Sequence, residues 1–352
     1  MLTTLVLSIC LGFAAQIVDP AQENPLAVSE EMRQFLNANI DRKADSLQQL
    51  NTLVRLVFQQ NALNFSYVSE TRTASETFGK RGGNCVSFTF LFLAMARELG
   101  LDARYREVDI VPIWSKMGNM VSMSGHANAL VYIAGQSYVV DLFPRLNPLQ
   151  VGGRIVSDQR AVAHFLSNRA VEHLAQGRTP TAIQYFQKAL ECDPTASFVW
   201  ANMGVAQSTA GNQIEAEGAY LRAIKENPGE MVAMSNLASL YERLGREHEA
   251  QAYATKVRKF KLRNPYYHFS LGLQAYDSGE YRASLEHLKT ALKLKPAEHN
   301  FYLAMAKAYV KLGEMDKASA NLKQALKTAP DEASKTRYSE KLSYLASMQS
   351  RS

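Results

Sequence analysis

The chain has 352 residues, of which 47% are hydrophobic and 20% charged, enough apolar material for two or three domains with their own cores and too much for a disordered chain. A formal charge of +6 invites a nucleic-acid partner, but the 39 lysines and arginines are interleaved with 33 acids and form no basic stripe, so none is expected.

Met1 to Val18 is uncharged, with an apolar run from Leu5 to Ala15 and Gly12-Phe13-Ala14 as a small-x-small cleavage site. This is the pattern of an export signal and points to the periplasm or cell envelope. Thr3, Thr4, Ser8 and Gln16 interrupt it, and a confident membrane span needs about 20 apolar residues. Left uncleaved, the segment would instead be an anchor giving membrane association. Residues 19–28, with Pro20 and Pro25, read as a linker. Residues 29–153 read as the first folded domain, in which Ser29 caps a helix to about Ile40. Leu47, Leu50, Leu53, Val54 and Val57 mark a second, amphipathic helix over 44–59. With the signal removed, Cys85 and Cys192 remain, far apart in the chain, so no structural disulfide is expected. The cysteines and seven histidines show no metal-site spacing, and neither metal nor cofactor is expected.

Thr73-Ala74-Ser75-Glu76 is a capping-box pattern that starts a short helix ahead of Gly82-Gly83. Asn84 and Cys85 follow, then the apolar run Val86 to Leu99, where Phe88, Leu91, Phe92, Met95 and Leu99 recur at helical spacing. The other faces are apolar too, so this helix is expected to be buried on most sides and to end at Gly100. A cysteine in its first turn meets unpaired N–H groups and the positive end of the dipole, which favours thiolate. That is the setting of a nucleophile, although a cysteine heading an apolar helix is also a common core residue.

Residues 102–111 read as a strand with charge on both faces, hence an edge strand. The stretch 112–124 reads as a long loop whose Trp114, Met117, Met120 and Met123 make it either a lid beside the next strand or a loop packed on the core. A strand pair follows, His126 to Tyr132 and Tyr138 to Asp141. If Ala134-Gly135 is the two-residue turn, Asp141 lies opposite Asn128 and diagonal to His126, about 7–8 Å away between backbones and within side-chain reach. A turn at Gly135-Gln136 would place Asp141 opposite Leu130 instead; the first register is preferred. Pro144, Pro148 and Gly152-Gly153 then close the domain.

From roughly Phe65 to Pro144 the chain resembles the transglutaminase-like superfamily, papain-related cysteine enzymes with the order Cys, His, Asp. The resemblance is carried by Thr73-Ala-Ser-Glu-Thr-Phe78, Arg81-Gly-Gly-Asn-Cys85, the His126 strand and the Asp141 strand. It implies an α+β domain, antiparallel sheet plus helices, with Cys85 as nucleophile, His126 as base and Asp141 holding the imidazole. Asn84 is a candidate oxyanion donor beside the backbone N–H of Cys85. One departure is Asn128, where the family often has an aromatic residue.

After about Ala163 the pattern changes to a 34-residue period. Small residues recur at Ala170, Gly204, Ala238, Gly272 and Ala306, glycines at Gly177, Gly211, Gly245, Gly279 and Gly313, and Pro194, Pro228, Pro296 and Pro330 end four units. Leu262 stands where the third unit lacks its proline. This resembles the tetratricopeptide repeat, an all-α superhelix, with five units over 163–330 and a capping helix and tail over 331–352. Asn168, Asn202 and Asn236 share one repeat position that the resemblance places in the concave groove, where their amides could hold the backbone of a protein or peptide partner.

Two functional readings follow. In one, an exported cysteine enzyme carries out acyl transfer or amide hydrolysis while the repeats recruit its protein substrate. In the other, the first domain is a binding module of a non-catalytic scaffold.

Overall fold

The computed structural model describes residues 23–58, 63, 65–110, 114–117, 120–123, 126–141, 150–329 and 332–349. The expected signal, Met1 to Val18, lies outside them, as do Phe143, Pro144 and Pro148. Among the described residues no helix is long and apolar enough to cross a membrane.

The centre of the first domain is α4 (Cys85–Glu98), with every residue from Val86 to Ala96 buried. It lies between α1 (Glu30–Asn39), α2 (Ser46–Phe58) and α3 (Ala74–Lys80) on one side and the sheet on the other. Its aromatic residues spread the core in three directions: Phe92 against Phe58, Phe88 edge-on to Phe65, and Phe90 against both Tyr105 and Phe165. Each such ring contributes roughly 1.5–3 kcal/mol through burial. Local signals set the helix starts: Ser29 Oγ accepts from the Met32 N–H, and Thr73 and Glu76 form a complete capping box.

Two short segments, β1 (Ser66–Tyr67) and β2 (Gly82–Gly83), pair in parallel ahead of α4. The main sheet is antiparallel, ordered β7 (Gln136–Val140), β6 (His126–Ile133), β3 (Asp102–Ile110), β8 (Gln150–Ile155). The strand expected at an edge, β3, is therefore an inner one. Its charge is internal wiring: Glu107 accepts from Arg154 of β8 and from Arg160 and His164 of the next helix. Nor is the stretch 112–124 a plain loop, since it carries the hairpin strands β4 (Trp114–Met117) and β5 (Met120–Met123).

Ten helices, α5 (Asp158–Ala175) to α14 (Met315–Thr328), form five antiparallel pairs, and α15 (Glu332–Gln349) packs on the last. The first helices of successive units, α5, α7 (Ser197–Thr209) and α9 (Met231–Arg243), adjoin one another, as do α11 (Pro265–Asp277) and α13 (His299–Lys311). Without the expected proline, α10 (Glu247–Arg263) runs through Leu262 until Asn264 caps α11, with Pro265 at its start. The apolar core of the first unit is continuous with that of the first domain, whereas units four and five have a separate core.

The stretch 19–28 is not a free linker where it is described. Glu23 Oε1 accepts from Arg169 and Tyr185 of the first repeat, and the carbonyls of Pro25 and Ala27 accept from Ala74 and Ser75 of α3. It straps the two domains together.

Candidate active site

Cys85 is the first residue of α4, where the backbone N–H has no acceptor within the helix. Asn84 is the N-cap: its Oδ1 accepts from the Ser87 N–H at 3.0 Å and from the Ser87 hydroxyl at 3.0 Å. Its amide hydrogens go to the Ser69 carbonyl at 3.2 Å and the Thr71 hydroxyl at 2.8 Å. This corrects the expectation of an oxyanion role, because both donors are already committed and the side chain is buried. Asn84 holds the turn that presents Cys85. Gly83 is required there, since a Cβ would stand 2.5 Å from that of Ser87. The brace reaches the repeats, because Glu172 of α5 accepts from the Thr71 N–H at 2.6 Å.

The helix that carries Cys85 and the strand that carries His126 meet at Thr89, one turn into α4. Its hydroxyl lies 2.8 Å from the Cys85 carbonyl and 3.2 Å from the Ala127 carbonyl, tying the helix to the strand that starts with His126. The turn between β6 and β7 is Ala134-Gly135, both with positive φ, and Ile133 pairs with Gln136. This is the preferred register, with Ala129 opposite Val140 and Asp141 following at the level of Asn128. The side chains close the diagonal: His126 Nε2 is 2.8 Å from Asp141 Oδ2, and both side chains are under 10% exposed, at 7% and 8%. Cys85 also acts on this imidazole. Burial is the largest influence on the imidazole and lowers its pKa. The hydrogen bonds to Asp141 and Cys85 and the charges on both outweigh it, raising the pKa to about 9.

Sequence reasoning gave no role to two residues near this group. Asn128 donates its amide to Asp141 Oδ2 at 3.1 Å, a pairing implied by the register that placed them opposite each other. Tyr67 of β1 has its hydroxyl pKa raised, first by burial and then by the charge of Cys85, which places it within electrostatic reach of the sulfur. Nothing local in Asn64-Phe65-Ser66-Tyr67 signals that proximity. The cavity beside Cys85, walled by Phe58, Phe88, Phe92 and Val140, is about 10 Å³, room for a single water.

The three asparagines lie away from this group, on α5, α7 and α9. Asn168 is half-buried, Asn202 donates to Ser167 Oγ of the preceding unit at 3.2 Å, and Asn236 is only 3% exposed. They are not an open amide ladder: one rung is partly spent on its neighbour and one is covered.

The protein-family model described as the transglutaminase-like superfamily matches residues 33–141. Tetratricopeptide-repeat models match 163–196, 185–218, 233–257 and 275–337. The chain is 24% identical over 152 residues to anaphase-promoting complex subunit 3 of Schizosaccharomyces pombe, covering 43% of this chain and 23% of that protein. It thus spans less than a quarter of that relative's length. Among solved structures, MamA from Desulfovibrio magneticus RS-1 is 16% identical, with 49% of this chain and 96% of that one covered and a TM-score of 0.28. A thermophilic tetratricopeptide-repeat protein of Thermus thermophilus is 22% identical, with 51% and 97% covered and a TM-score of 0.27. The chain therefore contains a transglutaminase-like domain followed by tetratricopeptide repeats.

Proposed function

We propose that the first domain is a cysteine acyl enzyme and that the repeats bring it a protein or peptide substrate. The observation that carries this reading is the 2.8 Å bond from His126 to Asp141, with Cys85, at a helix start, close enough to act on the same imidazole. With a pKa of about 9, the imidazole is protonated at neutral pH. That ring can therefore deliver a proton to a departing amine once the Cys85 sulfur has attacked as its anion.

The sulfur attacks the carbonyl carbon of a glutamine side chain or a peptide bond. A C–S bond forms and the carbonyl π electrons move onto oxygen, beside the backbone N–H of Cys85. When the oxyanion collapses, the C–N bond breaks and the imidazolium gives its proton to the departing amine, leaving a thioester. Water or a second amine then attacks the thioester, neutral His126 takes the proton, and the thiolate leaves. Asp141 fixes the ring orientation and favours its charged form throughout.

The test is amide cleavage, or amine incorporation into a glutamine peptide, by the full chain. Cys85→Ala is expected to lower the rate by at least ~10³-fold, with Cys192→Ala unchanged. Activity surviving in Cys85→Ala would overturn the proposal. The scaffold reading is favoured by one observation, the about 10 Å³ cavity, which admits no substrate as it stands. It requires Cys85 to alkylate no faster than Cys192 and Cys85→Ala to leave partner binding untouched.

A further inference from the structure

The first helix of the repeats is also a helix of the first domain. α5 runs antiparallel along α4 and is tied to it at three levels. Asp158, the first residue of α5, accepts from the Arg97 guanidinium in the last turn of α4 through both oxygens, at 2.7 and 2.9 Å. Midway, the Phe165 ring stands edge-on to Phe90 at 5.8 Å. Near the end of α5, Arg169 and Glu172 reach Thr71, in the loop that wraps the first turn of α4.

Thr71 is where this reach meets the turn that holds the thiol. It is fully buried, at 0% exposed, and each of its polar groups is bonded. Its N–H donates to Glu172 Oε1 at 2.6 Å and its carbonyl accepts from Arg169 Nη1 at 3.3 Å, so α5 holds both sides of the residue's backbone. Its hydroxyl accepts from the Asn84 amide at 2.8 Å, and the next residue, Arg72, donates its N–H to Ser87 Oγ at 2.8 Å. Asn84 caps α4 and Cys85 follows it, so the residue that α5 fixes is one that fixes the cap. Further along, α4 has other anchors, Thr89 on β6 and Phe90 in the core. The first turn, with Cys85 in it, depends on the cap.

We propose that Glu172 is a positioning residue for Cys85, acting through Thr71 and Asn84, so that the first repeat is part of the catalytic unit and not only a recruiter attached to it. Glu172 lies beyond residue 141, where the transglutaminase-like match ends. With the carboxylate gone, the loop at Thr71 loses its shorter tie to α5 and the cap loosens. The sulfur then loses its fixed setting at the helix start, where the unpaired N–H groups and the nearby imidazole activate it. The inference rests on reading Cys85 as the reacting thiol, but the reactivity of the sulfur is measured without turnover.

The test is iodoacetamide alkylation of Cys85 in the full-length protein at pH 7, read by peptide mass with Cys192 as internal reference. Glu172→Ala removes the acceptor, whereas Glu172→Gln keeps an oxygen for the Thr71 N–H. Thr71→Val removes the hydroxyl and keeps the shape, whereas Thr71→Ser keeps the hydroxyl. Glu217→Ala on α8 (Gln213–Glu226), where that carboxylate accepts from Tyr241 and Arg246 of the third repeat, is the control. Glu172→Ala and Thr71→Val are each expected to slow Cys85 alkylation about fivefold, the factor that a lost helix cap corresponds to. Glu172→Gln, Thr71→Ser and Glu217→Ala should stay within about twofold of the wild-type rate, and Cys192 should not respond. Should Glu172→Ala disturb the fold, Glu172→Leu, which fills the space without accepting, takes its place. A merely structural role would loosen the turn and leave alkylation of Cys85 unchanged or faster. Either result would overturn the proposal, as would a failure of Glu172→Gln and Thr71→Ser to keep the rate. Where the chain cleaves an amide, kcat should fall by the same factor with KM little changed. Slowed alkylation in a chain that cleaves no amide would sink the enzyme reading alone, and unchanged alkylation in a chain whose activity needs Cys85 would sink the role of Glu172 alone.

Discussion

Among the described residues, His126 and His164 each hydrogen-bond a shielded carboxylate, and of these two it is His126 on which a cysteine acts. His126 Nε2 is 2.8 Å from Asp141 where β6 meets the end of β7, and His164 Nε2 is 2.6 Å from Glu107 where β3 meets α5. The difference lies in what else each carboxylate touches. Glu107 also accepts from Arg154 at 2.7 Å and Arg160 at 2.6 Å, Arg160 continues to Asp193 at 3.1 Å, and the His164 ring stacks on Phe198 at 4.0 Å. Burial, the largest influence, pushes the Glu107 carboxyl up, but His164, Arg160 and Arg154 together hold it at about 2. That cluster is a knot between the sheet and the repeats. Asp141 bonds the imidazole and the Asn128 amide, and its charge acts on the same ring that Cys85 influences. A histidine–carboxylate pair signals chemistry only when the other ring nitrogen faces a group that can react.

The comparison breaks most visibly at Asp141. Asp141→Asn keeps the shape and removes the charge, and is expected to lower kcat by ~10²–10⁴-fold. It should also move the alkaline limb of the pH profile, set by loss of the imidazolium, down from about 9. Stability should respond with a definite sign. The folded pKa of His126 lies above the ordinary 6.5, so its contribution is complete below 6.5 and lost as pH rises through about 9. That amounts to roughly 2–3 kcal/mol in the wild-type protein. Chemical denaturation at pH 6 and pH 9.5 reads it, and the difference should shrink in the variant.

Glu107→Gln tests the other pair. It leaves Arg160 without its main counter-charge and is expected to cost roughly 2–3 kcal/mol in denaturation at pH 7 while changing kcat by less than about twofold. The sign is opposite to that of His126: the folded pKa of Glu107 is depressed, so its contribution is present above 4.5 and lost as pH falls toward 2. The variant should therefore lose much of the wild-type chain's destabilisation between pH 4.5 and 2. A large fall in kcat would mean that the junction governs the site rather than merely supporting it.

The two pairs are unequally legible in the sequence, for a physical reason. The His126–Asp141 pairing follows from local rules: a period-two strand, a two-residue turn and one register choice. The same kind of short-range signal marks the Ser29 cap, the Thr73–Glu76 box and the 34-residue phase of the repeats. The Glu107 knot depends on β8, which Gly152-Gly153 disguises as a breaker. Glycine is there because a Cβ at Gly153 would lie 2.5 Å from the Glu107 carbonyl oxygen, a long-range contact that no local pattern records. Without β8, β3 reads as an edge and its charges read as solvated. Asn84 misleads for the same kind of reason: its partners Ser69 and Thr71 come from a loop whose position is fixed by Glu172, about a hundred residues downstream.

The smallest expected effect separates support from packing. Asn128 is 1% exposed, its amide donates to the same Asp141 oxygen that bonds His126, and its own Oδ1 is buried with no hydrogen-bond partner among the described residues. A shielded acceptor left unpaired costs about 1–3 kcal/mol, so the side chain offsets much of what its hydrogen bond contributes to the fold. Asn128→Ala removes the donor and the orphan oxygen together and should change stability by less than about 1 kcal/mol. Asp141 would then lose the contact that aims its Oδ2 at the ring, and kcat is expected to fall roughly tenfold, about 1.4 kcal/mol, with KM little changed. If kcat holds while denaturation shifts by about 2 kcal/mol or more, Asn128 serves the sheet, and Asp141 is aimed by the register of β6 and β7 alone.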